Sequence, residues 1–543
     1  MPSQAASQND VNYSDDDRPA KPTVDAAPSE MKNVHNLEDI APPKQEVEVC
    51  HVKPSAEDQI RVSQVDDVAT FAALESPQSR SQERQDHESN RQIVINVVSL
   101  AFPLNISQLA QLSILLVMMS AIGEFGTHAL GGASLANGLM NATGYAFGGG
   151  LAGALETLLS HCYGHNPKSL LFGTHLQRMI LLQLIVALPL GLLIANIGSI
   201  LVWAGQSPDV VAYTSEYALI GVWALVPFMF LEVMRRYYAA QHMSHPFTVI
   251  IVVAAVLNIP LQHYLPAALG FVGAPIGWLI LLVNMDVALV GYLVVTGLYR
   301  NTWGGWNRSA LRHWGPMVKL AFPSLAMTLC EWSAMEINTI AAGFAPAHDL
   351  AAFTITVQTA ITLWTMPAGN YIAASVLVGN CIGERRPILA RTYAIACLGV
   401  SFVISCFSVA VMLLLGERLP QFFSDDPVVI ATFMRWRWWC AAFHFGDAYQ
   451  STMLGIFRGM GKQDLGARCV TISFVVIGLG LGFVLFFSGA MDVQALWLGP
   501  LVGVYTAGVP LFTYYFRTTD WALLEAHGTD VPKDVAEEEE AMD

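Results

Sequence analysis

The sequence predicts an all-α polytopic membrane protein: twelve transmembrane helices in two six-helix lobes that are parallel repeats, with disordered acidic termini. Three observations lead there. The chain is 54% hydrophobic and only 13% charged, with a mean hydropathy of +0.45, too little charge to cover the water-facing surface of soluble domains. Past residue 92, apolar blocks of roughly 20 to 30 residues follow one another, each long enough to cross about 30 Å of hydrocarbon as a helix. The lysines and arginines between the blocks fall almost entirely into alternate loops.

The first block is preceded by a polar stretch, residues 1–92, read as a disordered cytoplasmic N-terminal tail. It holds no apolar run of signal-peptide quality, so the first span is expected to insert as an internal anchor. Much of the net charge of -15 sits in this tail and in the C-terminal one, which includes Glu537 to Glu540. Solvated tails are the expected reading of such segments. The eight cysteines show no pairing pattern and read as small hydrophobic residues.

Candidate spans lie near 93–121, 129–158, 178–204, 212–234, 246–266 and 270–298, which form an N-lobe over 93–298. A cytoplasmic inter-lobe linker, 299–315, leads to spans near 316–344, 350–379, 392–415, 427–456, 467–489 and 494–516, which form a C-lobe over 316–516. Residues 517–543 are then a cytoplasmic acidic tail. Placing the N-terminus in the cytoplasm puts Lys168, Arg235, Arg236, Arg300, Arg308, Arg312, Arg385, Arg386, Arg458 and Lys462 inside, and Arg418 outside, as the positive-inside rule requires. Both termini are then cytoplasmic.

Two short segments recur at an offset of about 220 residues, which marks an internal duplication. Ser99-Leu100-Ala101-Phe102-Pro103 returns as Lys319-Leu320-Ala321-Phe322-Pro323, and His161-Cys162-Tyr163-Gly164 returns as Asn380-Cys381-Ile382-Gly383. Six spans bring the chain back to its starting side, so the halves are related by an axis along the membrane normal and leave a cleft between them. A solute pathway belongs in such a cleft; an α-helical channel or membrane enzyme needs no such duplication.

Longer motifs stand on this frame. Gly123-Glu124-Phe125-Gly126 is followed by Leu130 to Ala136, and Gly153-Ala154-Leu155-Glu156-Thr157 closes on Tyr163-Gly164. Later come Cys330-Glu331-Trp332-Ser333-Ala334-Met335-Glu336, then Val378-Gly379-Asn380-Cys381-Ile382-Gly383, then Asp447-Ala448 with Gln450, Gly455, Arg458-Gly459, Gly461 and Gln463. In order and spacing these resemble the multidrug and toxic compound extrusion (MATE) antiporters, specifically their eukaryotic branch, over roughly residues 93 to 518. The departures are Glu156 in place of an aspartate, His161 in place of a glutamine and Leu377 in place of an arginine. The aspartate that bacterial branches often carry late in the first span is absent, since Val117-Met118-Met119-Ser120 stands there.

A carboxylate inside an apolar span costs at least about 2.5 kcal/mol and calls for a reason. Glu331, Glu336, Asp447 and Asp286 are such residues. The resemblance implies proton coupling and cation binding at Glu331, Glu336 and Asp447. Each has a plainer reading beside it, as a carboxylate satisfied by neighbouring hydroxyls or amides, and Asp286 has no motif in support. Glu331 and Glu336 are separated by about 140° around a helix, so both reach one cavity only if the cleft is wide. Asn258, Asp286, Trp332, Trp364, Tyr371, Phe443 and Tyr449 are candidates for lining it, the aromatic rings as partners for flat cations. Glu156, His161, Arg236, Asn380 and Arg458 fall at or beside cytoplasmic loops, as gate residues.

The expected function is a proton-coupled antiporter that exports cationic or amphipathic organic compounds from the cytoplasm by alternating access. Two alternatives stand beside it: a transporter of the same architecture for a physiological metabolite, or coupled to Na⁺, and a receptor or structural protein that has lost transport. No cofactor, metal site or nucleic-acid partner is indicated, and Gly148-Gly149-Gly150 lacks the lysine of a phosphate loop and reads as close helix packing. The protein is expected to be no enzyme, to act as a monomer with the lipid bilayer and small organic substrates as its partners, and to lie in the plasma membrane or an acidic, vacuole-like organelle.

Overall fold

Twelve long helices account for nearly all of the residues that the computed structural model describes, 89–203 and 205–527. They are α1 (Asn90–Gly123), α2 (127–165), α3 (Leu171–Ala195), α4 (Pro208–Ala240), α5 (Ser244–Leu269) and α6 (Gly273–Thr296). After a link with two 3₁₀ turns follow α7 (Gly315–Ala342), α8 (347–383, interrupted at Met366 and Pro367), α9 (Pro387–Leu415), α10 (Pro427–Gly459), α11 (Gln463–Phe487) and α12 (Ala495–Thr518). No strand occurs among the described residues. The N-terminal tail lies outside them up to Glu88, as does the C-terminal tail beyond His527.

Each expected span overlaps one long helix, but the third, 178–204, runs past the end of α3 into a separate short helix, Ile197–Trp203. Several helices outrun their apolar block at one end: α4 continues past 234 to Ala240, α8 past 379 to Gly383, and α10 past 456 to Gly459. These extensions are at the end of the bundle where α1 begins and α12 finishes. Lys168, Arg300, Arg312, Arg385, Arg391, Lys462 and Arg468 are also there, and it is called the basic end below.

Eight stretches are long and apolar enough to cross a membrane by composition, one of them the 53-residue Ser244–Thr296 that holds both α5 and α6. The three helices that fall short are α2, α7 and α10. They carry Glu156, Glu331, Glu336 and Asp447, acids that an apolar span holds only at a cost.

Three helices contain π-helical turns that the sequence did not announce: Asn141–Tyr145 in α2, Thr471–Leu479 in α11 and Val504–Gly508 in α12. Such turns widen a helix locally and re-aim its side chains.

The duplication is also an exchange. The first half of α1 places Ile93, Val97, Leu100, Ala101 and Leu104 in the core of the C-lobe, around Phe353, Phe433 and Phe457. The first half of α7 places Met317, Leu320, Ala321 and Leu325 in the core of the N-lobe, around Phe172, Tyr238 and Phe247. The repeated Leu-Ala-Phe-Pro segments are therefore the crossing points. In both, the leucine and alanine are buried, while Phe102 and Phe322 point outward at 61% and 60% exposure, on the lipid-facing surface.

Candidate functional site

Small residues set how closely the lobes approach at the basic end. Gly164, near the end of α2, rests on the backbone of Asn380 in α8, and Gly383, at the end of α8, rests on the backbone of His161 in α2; neither position has room for a Cβ. Deeper in, Gly150 and Gly153 of α2 lie against Leu325 and Ser324 of α7, and Gly369 of α8 lies against Asn105 of α1. The Gly369 N–H donates to the Asn105 side-chain oxygen at 2.6 Å. Close helix packing is thus the use of Gly150, as the sequence suggested.

Polar bonds follow the same pseudo-twofold relation. His161 Nδ1 accepts from the His527 backbone N–H at 2.8 Å, which leaves Nε2 to donate to the Gly459 carbonyl at 2.7 Å. In the other half, His242 Nε2 donates to the Asn380 amide oxygen at 2.7 Å, and the amide nitrogen donates to the Ser160 carbonyl at 2.9 Å. His242 and Gly461 occupy matching turns after α4 and α10, and both are left-handed, at φ 57° and 69°. Thr157 and Gln463 close the seam, with Gln463 Nε2 donating to Thr157 Oγ1 at 2.5 Å and Thr157 Oγ1 to the Arg458 carbonyl at 2.5 Å. The segment after α12 completes it: Trp521 packs edge-on against Phe516, and the His527 ring stacks on His161 at 5.8 Å.

Above this seam the lobes part around a cavity lined from both sides. From the N-lobe its wall takes Gln108 and Gln111 of α1, Asn141, Tyr145 and Gly149 of α2, and Phe228, Glu232, Arg235 and Arg236 of α4. From the C-lobe it takes Thr328, Glu331 and Trp332 of α7, Trp364 and Tyr371 of α8, and Ser451, Leu454 and Arg458 of α10. The π turn of α2 presents both Asn141 and Tyr145, and the Tyr145 ring lies 4.3 Å from that of Phe228. Trp364 stacks on Tyr371 and donates to Ser451 Oγ at 2.9 Å.

The floor of the cavity is a buried charge network. Arg235 pairs with Glu232 at 2.8 Å and donates to Gln111 at 2.7 Å. Arg236 bonds Glu232 and the Gly149 carbonyl, and lies 3.4 Å from Glu156. Arg458, from the other lobe, lies 3.8 Å from the second oxygen of Glu156, donates to Thr328 at 3.4 Å and stands over the Tyr371 ring. Glu156 is 1% exposed and joins an arginine of each lobe. The sequence placed Arg235, Arg236 and Arg458 in or beside loops. They belong instead to helices α4 and α10 and are buried, because carboxylates beneath the cavity compensate their charge.

The expected acids divide. Glu331 is on the cavity wall within electrostatic reach of Arg458, and Asp447, buried in α10, feels the charge of Glu331. Glu336 is exposed and faces the gap between lobes, 3.9 Å from where a side chain on Gly138 of α2 would begin. Of the expected lining residues, Trp332, Trp364 and Tyr371 are on the wall. Four others are not, and here the expectation is corrected. Asn258 donates to the Ile114 carbonyl at 3.1 Å and ties α5 to α1. Asp286 is on the buried face of α6 beside Leu282, Met285 and Leu289. Phe443 packs against Phe474 and Trp497, and Tyr449 bonds Thr513. A helix buried on several sides offers no sequence pattern that separates a cavity face from a packing face.

Among the residues that sequence reasoning passed over, Glu232 was within reach: it stands three and four positions before Arg235 and Arg236, the spacing that pairs side chains on a helix. Gln108, Gln111, Tyr145, Phe228, His242 and His527 carried no such signal.

Comparison with known proteins agrees with this fold. The MatE family profile matches residues 103–263 and 323–484, one segment in each lobe. Multidrug and toxin extrusion protein 1 of Xenopus tropicalis is 32% identical over 427 residues, 78% of this chain and 74% of that protein. Protein DETOXIFICATION 49 of Arabidopsis thaliana is 28% identical over 437 residues, 80% of this chain and 86% of that one. The crystal structure of the eukaryotic MATE transporter AtDTX14 superposes with a TM-score of 0.76 at 23% identity, covering 84% of this chain and all of that one. With a matching segment in each of two duplicated lobes, and twelve spans folded as in a solved eukaryotic member, the chain belongs to the MATE family of integral membrane transporters.

Proposed function

We propose that the protein is a proton-coupled antiporter that exports cationic or amphipathic aromatic compounds from the cytoplasm by alternating access. The observation that carries this reading is Glu331: a carboxylate on the wall of an aromatic cavity, with Asp447 buried behind it. A carboxylate in such a site holds either a proton or a cation, and exchange of one for the other across two conformations is antiport. Trp332, Trp364, Tyr145 and Phe228 supply ring faces for the organic part of the substrate.

The basic end faces the cytoplasm, in accordance with the positive-inside rule. The conformation described here is then closed to the cytoplasm, and transport requires the seam through His161, Asn380 and Glu156 to open. One chain builds the whole cavity, which supports function as a monomer. The proton is the coupling ion and no cofactor takes part; the plasma membrane and an acidic organelle both suit export from the cytoplasm.

The test is uptake of a fluorescent organic cation into proteoliposomes under an imposed pH gradient. Accumulation that needs the gradient is the expected result. Accumulation driven by Na⁺ alone, or by neither ion, would reject proton coupling.

A further inference from the structure

Between Asp286 and Glu331 the sequence holds no acidic residue, but it holds Arg300, Arg308, Arg312 and Lys319. The three arginines belong to the inter-lobe linker, are exposed, and make no ion pair among the described residues. Two large apolar side chains of the same linker are also left open, Trp306 at 69% and Leu311 at 68% exposure. Open apolar side chains beside uncompensated guanidiniums fit a partner that is at once apolar and anionic.

The linker is a fixed surface. The Gly173 N–H donates to the Thr302 carbonyl at 2.8 Å, Gln177 Nε2 donates to the Gly305 carbonyl at 2.6 Å, and Gln177 Oε1 accepts from the Asn307 N–H at 3.1 Å. Arg178 donates to the Ser309 carbonyl at 3.1 Å, and Thr302 bonds Tyr237 of α4. Successive linker residues thus meet successive positions of α3, so the linker runs along the flank of that helix and not across its end. Leu171 to Met179 of α3 are all buried, and exposure begins further along, with Leu184, Ile185 and Leu188. Over its first turns α3 therefore has the linker where its later turns have lipid. The chain enters the linker from the last turn of α6, which exposes Val294 at 57% and Val295 at 88%.

We propose that this face of the linker docks on the headgroup layer of the cytoplasmic leaflet and selects anionic phospholipids. The basic end faces that leaflet by the positive-inside rule. Trp306, against which Trp303 packs edge-on at 5.6 Å, enters the boundary between headgroups and acyl chains together with Leu311. Tryptophan is enriched at that level of membrane proteins. Arg300, Arg308 and Arg312 take the lipid phosphates and carboxylates, since a guanidinium fork matches both and a basic segment is drawn to a negatively charged leaflet. The linker's bonds to α3 and α4 make this contact a hold on the N-lobe.

The test is a photo-crosslink from the full-length protein in proteoliposomes of phosphatidylcholine with about one-fifth phosphatidylserine. A benzophenone side chain replaces Trp306, and mass spectrometry identifies the adducts. Lipid adducts are expected, with phosphatidylserine enriched several-fold over its share of the bilayer. The same probe in place of Trp223, 74% exposed midway along α4, should yield adducts in bilayer proportion. Combining Arg300→Gln, Arg308→Gln and Arg312→Gln should keep the lipid adducts at position 306 and bring their enrichment toward one. An enrichment that this combination leaves unchanged overturns the proposal. So do adducts on the chain's own acidic tail, an absence of lipid adducts, or phosphatidylserine at its bilayer share while all three arginines are present, and these results need no arginine variant to fold.

Discussion

Gly164 and Asn380 meet across the lobe interface so closely that the glycine has no room for a Cβ, and Gly383 meets His161 in the same way. The four residues are the first and last positions of the two copies of one short repeated motif. Each copy supplies a glycine to one crossing and a polar backbone to the other, so the seam is self-complementary about the axis between the lobes.

Gly164→Ala and Gly383→Ala should each hold the basic end partly open. Overpacking of this kind costs about 1–3 kcal/mol. Labelling of a cysteine introduced at Ser160 reads it: the rate should rise several-fold in both variants. Gly123→Ala, where a Cβ meets nothing within 4 Å, should leave it unchanged.

Glu331→Gln and Asp447→Asn should each lower gradient-driven uptake more than tenfold, a barrier change of over about 1.4 kcal/mol. Asp286→Asn, at a residue that does not line the cavity, should retain most of the wild-type rate. Equal losses in all three would mean that the acids serve stability and not coupling.

Glu156→Gln removes the carboxylate shared by Arg236 and Arg458. Losing one member of a buried ionic set costs about 3–5 kcal/mol, so the melting temperature in detergent should fall by several degrees. Glu156→Asp keeps the charge at a shorter reach and should fall between. If the Gln variant melts with the wild type, the bridge does not hold the lobes together.

The stretch after α12 should release as the pH drops. Packing on Gly461 and His161, together with the Lys462 and Lys319 charges, holds the partly exposed His527 ring below the usual histidine range, against the pull of Glu525. The folded value is below the unfolded one, so this stretch docks fully above about pH 6.5 and loosens as the pH falls through the lowered value. Protease cleavage after Thr518 should quicken over that range, and His527→Gln should flatten the profile.

The sequence by itself determined the number of helices, their order, their duplication and the lobe to which each acid belongs, because span length, loop charge and internal repetition are properties of the chain read in one dimension. Glu331 and Trp332 were legible because a motif fixes their helix and their turn, and Trp364 and Tyr371 as aromatic rings suited to flat cations. Which face of a buried helix meets a cavity was not legible. Asn258 and Phe443 proved to be packing residues, while Gln111, Tyr145 and Phe228, with no motif to mark them, line the wall. Only the tertiary structure decided the place of the arginines. Arg235, Arg236 and Arg458 look like loop charges in a hydropathy profile; Glu232, about one turn before the first two, is a local trace of their pairing, but Glu156, which joins Arg236 to Arg458 from another helix, leaves none in local composition. The cleft foreseen for a cation therefore has a basic floor.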